Sequence, residues 1–118
     1  MYVIGIVLTV LCALTALISA SGKLTRQAAV VEILDHVRVS GPLRTVLPFI
    51  QIAGGVGALL GLFVLPELGI AALVGLALYY AGAIGYHVRA GDGPSGFGVP
   101  LGLAIVAAVA AILRAVTI

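Results

Sequence analysis

The segment LYYAGAIGYHVRAGDGPSG, residues 78–96, brings an imidazole, a guanidinium and a carboxylate close together, as His87, Arg89 and Asp92. The whole chain of 118 residues holds only six Lys or Arg and four Asp or Glu, so this crowding where an apolar run ends marks a candidate site. Histidine exchanges a proton near neutral pH and can serve as a general acid. Three more polar side chains stand at unusual places. Lys23 closes the first apolar run, Gln51 lies about two turns inside the second, and Tyr80 sits near the middle of the third, two turns before His87. Each is costly in an apolar medium unless it finds a partner. The candidate ligand-binding set is therefore Lys23, Gln51, Tyr80, His87, Arg89 and Asp92.

Other chemistries lack their residues. No pair of carboxylates and no nucleophile with a neighbouring base is present. The two histidines, His36 and His87, lie on different segments, and no thiolate or carboxylate has ligand spacing, so no metal site is expected. Cys12 is the single cysteine, which excludes an intrachain disulfide and a CxxC redox pair. No cofactor is intrinsic; redox chemistry would need one from outside, a quinone being the natural choice. The net charge of +2 is spread without a basic cluster and gives no nucleic-acid footprint.

The elements that position these residues follow from composition. Hydrophobic residues make up 63% and charged residues 8%, whereas roughly a quarter of a soluble domain is charged. Uncharged windows run to Ser21, from Thr45 to Pro66, from Leu68 to Val88 and from Gly93 to Leu113, each long enough to cross a hydrocarbon layer of about 30 Å as a helix. The expected fold is all-α: one integral membrane domain, a four-helix transmembrane bundle with spans about 2–21, 45–65, 68–88 and 99–117. The first window has small residues at Ala20 and Ser21 that mimic a signal cleavage site, but it lacks a basic leader and is read as a retained span.

An interfacial amphipathic helix, about 24–39, is expected between spans one and two. Val30, Ile33, Leu34 and Val37 share one face of it and Glu32, Asp35 and His36 the other. Ser40, Gly41 and Pro42 are expected to end it. It serves either as an anchor or as a lid over a site formed by the spans. Leu65, Pro66 and Glu67 leave room only for a tight hairpin, with Glu67 at a helix N-terminus that favours a carboxylate. An ion pair or water-bridged contact of Glu67 with Arg114 is expected on the same side. Lys23, Arg26, Arg38, Arg44 and Arg89 all fall on the opposite side, which the positive-inside tendency makes cytoplasmic, with both termini outside.

Small residues mark where helices approach, because lipid gives them no hydrophobic reason to associate. Gly5, Cys12, Ala16, Ser19 and Lys23 share a face of span one; Gln51, Gly54, Gly57, Ala58 and Gly61 share one of span two; Ala104, Ala108, Ala111 and Ala115 share one of span four. In span three, Gly75 and Gly82 lie nearly opposite Tyr80 and are read as packing positions. Such tight packing argues against a pore. Lys23 and Gln51 point inward, so a pocket lined by Lys23, Gln51, Tyr80 and His87 would open at the cytoplasmic leaflet and suit a quinone or lipid. Simpler roles stand beside this one. Lys23, Arg44 and Arg89 would snorkel to headgroups, His87 would pair with Asp92 or cap its helix, and Gln51 would cross-link two helices.

The order of SGKLT closing span one, Gly41-Pro42, QIAGGVGALLGL, PELGIAALVGL and GAIGYHVRAGD resembles the DoxX-like family, over nearly the whole chain. The resemblance implies a small four-helix protein of the bacterial cell (inner) membrane, related to proteins of sulfur oxidation, quinone-linked oxidoreductases and redox-associated membrane complexes. The expected function is a non-catalytic membrane subunit, not an enzyme on its own, that binds a lipid or quinone and supports a protein partner of a redox complex. The alternatives are a quinone-reactive oxidoreductase subunit, with His87 or Lys23 donating a proton, and a small proton-coupled transporter. The last lacks the carboxylate such exporters carry in span one. Self-association is left open.

Overall fold

Each apolar window forms one long helix, as a medium without water requires, because every backbone N–H and carbonyl must find its partner within the segment. The structure, a computed structural model, describes residues 2–25, 27–39 and 41–117. Five helices follow in order: α1 (Tyr2–Leu24), α2 (Ala28–His36), α3 (Gly41–Phe63), α4 (Pro66–Arg89) and α5 (Pro94–Thr117). The described residues contain no strand. Helices α1, α3, α4 and α5 are long and apolar enough to cross a membrane. Arg26, counted above among the basic residues, and Ser40, expected to help end the interfacial helix, lie outside the described residues.

The long helices close a ring in which α1 packs on α3, α3 on α4, α4 on α5 and α5 on α1. Small residues make this possible. Ala13, Ala16, Ala58, Ala107 and Ala110 are fully enclosed, with Leu73 and Leu76 filling the centre, while Val7, Leu11, Ile18 and Ile112 face outward. The closest approach is at the α3–α4 hairpin, where a Cβ on Gly61 would collide with the backbone of Gly69. Pro66 opens α4 after an extended Leu65, a position where its missing N–H costs nothing.

Three packing expectations are corrected by the structure. Ala108 and Ala115 face outward, and the buried alanines of α5 are Ala107, Ala110 and Ala111; alanines lie on every side of this helix, so their spacing alone does not select a face. Gly75 and Gly82 are exposed, with no atom within 4 Å of where a Cβ would stand, because α4 turns Tyr80 and Leu76 inward instead. Arg114 does not reach Glu67. It is buried, donates from Nη2 to the carbonyl of Gly61 at 3.2 Å and lies 5.9 Å from the ring centre of Tyr2. The last carbonyls of α3, unpaired within their own helix, attract it more directly than an exposed carboxylate does.

Helix α2 is also shorter than expected at both ends, running from Ala28 to His36, with Leu24 still in α1. Arg38 takes the left-handed conformation (φ 60°), and the chain closes back on α2 through Arg38 N–H to Asp35 O at 3.2 Å and Val39 N–H to Leu34 O at 3.1 Å. This pair of bonds satisfies the last carbonyls of a helix. Gly41 and Pro42 therefore open α3 rather than close α2.

Candidate functional site

A second helix end has the same construction. Gly91 is left-handed (φ 84°), its N–H bonds to Val88 O at 3.0 Å, and the N–H of Asp92 bonds to His87 O at 3.0 Å. The reversal folds Asp92 back over the end of α4. There its Oδ2 meets His87 Nδ1 at 2.7 Å and its Oδ1 meets His36 Nε2 at 2.6 Å. An ionised carboxylate only accepts, so both rings donate to it. These bonds, from His36 first and His87 second, hold the Asp92 carboxyl below its ordinary range. His36 is more than half exposed, whereas Asp92 and His87 are largely covered. The three groups thus run from solvent inward.

The two helix ends are also joined by their arginines. Arg38 Nη2 donates to the carbonyl of Arg89 at 3.1 Å, and Arg89 Nη2 donates to the carbonyls of Val37 and Arg38, each at 3.1 Å. The Arg89 guanidinium also lies 4.5 Å from the ring centre of Tyr86. On the other side of α2, Arg44 binds Asp35 at 2.7 Å and donates from Nε to Val39 O at 2.9 Å. Helix α2 is therefore fastened to both α3 and α4.

Beneath α2 lies a cavity of about 590 Å³. Lys23, Gln51, Tyr80 and His87 all line it, together with Ser19, Tyr79, Tyr86 and an apolar wall that includes Leu34, Leu47, Leu78, Val99, Pro100 and Leu103. Ile33 and Leu34 of α2, with Val37 just past its end, roof one side. A smaller cavity of about 410 Å³ lies between α1, α2 and α3, and shares Lys23 and Leu34 with the first. Pro48 and Pro100 sit inside α3 and α5, one on each cavity.

A hydrogen-bonded group forms the polar part of the large cavity. Lys23 Nζ donates to Ser19 Oγ at 2.8 Å and to Gln51 Oε1 at 2.9 Å, and Gln51 Nε2 makes a long contact with the Tyr80 hydroxyl at 3.5 Å. Gln51 is fully buried and Tyr80 nearly so. The Lys23 ammonium lies 6.0 Å from the ring centre of Tyr79, which meets Tyr80 edge to face at 5.2 Å.

Of the six sequence candidates, Lys23, Gln51, Tyr80 and His87 meet at the cavity, whereas Arg89 and Asp92 stand behind it and tie its roof. His36, Arg38, Tyr79 and Tyr86 were missed. Tyr79 and Tyr86 flank Tyr80 and His87 in sequence, which was a usable signal; nothing local in the sequence pairs His36 with Asp92. No group of three or more His, Cys, Asp or Glu among the described residues is placed to hold a metal ion.

The profile of the DoxX-like family matches residues 7–112. Comparison with curated proteins and with solved structures finds no match.

Proposed function

The chain belongs to the DoxX-like family and is a small multi-pass membrane protein, and from that premise we propose that it is a non-catalytic subunit that binds a membrane amphiphile, a lipid or a quinone, and supports a protein partner. The observation that carries this reading is the cavity of about 590 Å³ with apolar walls and one convergent polar group made by Lys23, Gln51 and Tyr80. That composition is typical of sites for small amphipathic molecules. The partner, as a subunit of a redox-associated complex, is supported by the family likeness. The basic residues Lys23, Arg38, Arg44 and Arg89 support a cytoplasmic placement of the α2 end in the inner membrane, with both termini outside.

Extraction and mass spectrometry of protein purified in several mild detergents tests the ligand. A quinone or lipid that co-purifies in equimolar amount is expected, and its absence from every preparation counts against the reading. Affinity capture from native membranes tests the partner. A second reading, a quinone-reactive subunit, draws support from the run His87, Asp92, His36, which connects the cavity wall to solvent through bonds of 2.7 and 2.6 Å. Such a run would carry protons to or from a bound quinone, with the electrons supplied by the partner.

A further inference from the structure

We infer that the polar end of the cavity's occupant is a carboxylate held by Lys23, so that the ligand is a long-chain carboxylic acid; this rests on the proposal that the cavity takes an amphiphile. Lys23 is half-buried in the wall shared by both cavities. An ammonium group has three N–H donors, and Ser19 and Gln51 accept from it, which leaves one N–H for a ligand. Among the described residues no carboxylate pairs with it. Asp92 is taken by the two histidines and Asp35 by Arg44, Glu32 is exposed on the outer face of α2, and Glu67 lies at the far end of the bundle. A cation beside apolar walls is stabilised by an opposite charge brought close to it.

The wall also limits the kind of headgroup. Ser19 Oγ and Gln51 Oε1 already accept from Lys23 and His87 is bonded to Asp92 through Nδ1, so around Lys23 the wall offers a ligand chiefly donors: the remaining ammonium N–H and the hydroxyls of Tyr79 and Tyr80. A group that only accepts fits this best; a protonated amine, which only donates, does not. A neutral quinone carbonyl accepts but leaves the charge unbalanced. A phosphate monoester carries close to two negative charges, yet Lys23 faces it alone, because Arg44 is committed to Asp35 and Val39 while Arg38 and Arg89 bind backbone carbonyls where α4 and α2 end. One carboxylate balances one ammonium. Its chain would lie along Leu47, Leu78, Val99 and Leu103.

The test uses the full chain reconstituted in phosphatidylcholine vesicles, with spin-labelled stearic acid and its methyl ester compared by electron paramagnetic resonance at mildly alkaline pH, where the acid is ionised. The expected result is an immobilised acid population that unlabelled palmitate displaces, bound at least about tenfold tighter than the ester. Lys23→Gln should bring the acid down to the level of the ester, and Lys23→Arg should keep the preference. Equal immobilisation of acid and ester by the wild-type protein, a comparison that needs no variant, overturns the carboxylate while leaving the cavity proposal standing. Displacement by lysophosphatidic acid at lower concentration than by palmitate also overturns it. If neither label is immobilised and a short-chain quinone is not retained, the cavity proposal falls as well.

Discussion

Arg38 and Arg89 tie the ends of α2 and α4 to each other: Arg38 donates to the last carbonyl of α4, and Arg89 donates to the Val37 and Arg38 carbonyls just past α2, over three bonds of 3.1 Å. The exchange is reciprocal because two left-handed residues, Arg38 itself and Gly91, turn both chain ends toward one another.

This arrangement separates backbone from side chain in a testable way. Arg38→Gly removes the side-chain bond but relieves the left-handed strain, which for a non-glycine residue is about 1 kcal/mol; Arg38→Ala removes the bond and keeps the strain. Arg38→Ala should therefore be the less stable by about 1 kcal/mol in thermal unfolding. Equal stability of the two would mean that the helix end adapts.

Asp92→Asn reports on the carboxylate between the two histidines. Because His36 and His87 depress its folded value, Asp92 contributes stability that is fully present above the ordinary carboxylate range, about pH 4, and is lost as pH falls through the lower, folded value. The stability advantage of the wild-type protein over Asp92→Asn should shrink as the pH is taken down through the acid range. Unfolding curves that run parallel down to the most acid condition would contradict this.

Gly61→Ala should be among the most damaging single methyl additions in the bundle, costing about 1–3 kcal/mol, because the new Cβ meets the Gly69 backbone rather than a movable side chain. Gly75→Ala and Gly82→Ala, with no atom within 4 Å of the added carbon, should be neutral or stabilising by up to about 1 kcal/mol through helix propensity. Melting temperatures of the three variants in one detergent decide the matter.

Arg114→Met should destabilise by about 1–3 kcal/mol, since the buried Gly61 carbonyl loses its donor. Glu67→Gln, at an exposed position, should change stability by no more than about 0.5 kcal/mol. A double-mutant cycle between the two sites should give no coupling; a sizeable coupling energy would restore the ion pair expected from the sequence.

Orientation is accessible to labelling of intact cells. With an impermeant maleimide, Val64→Cys at the α3–α4 hairpin should react directly, and Glu32→Cys on α2 only after the membrane is opened. The reverse pattern would invert the assignment of sides.

The bundle was legible because the distance between charges matches the membrane thickness four times over. The meeting of Lys23 and Gln51 was legible too, since small residues on the same helical faces show which way those side chains point; Tyr80 was marked only by its hydroxyl in mid-span, because the glycines opposite it pointed to the wrong packing side. His36 was not. It lies on the polar face of α2, which reads as a solvated face, and only the two chain reversals carry it to Asp92. One of those reversals was signalled by Gly91, but a left-handed Arg38 runs against local preference and is fixed by the contacts around it. Alanine repeats in α5 fit several helical faces equally well, so the buried one emerged only from packing against α1 and α4.

Cys12 is enclosed by the bundle, with 3% of its surface accessible, and it is the chain's only thiol. A buried thiol is inert toward water-soluble reagents, so the native protein already contains a silent reporter at its centre. The moment at which a disulfide dye turns coloured is the moment the helices part, which makes disassembly a reaction that can be timed without any introduced label.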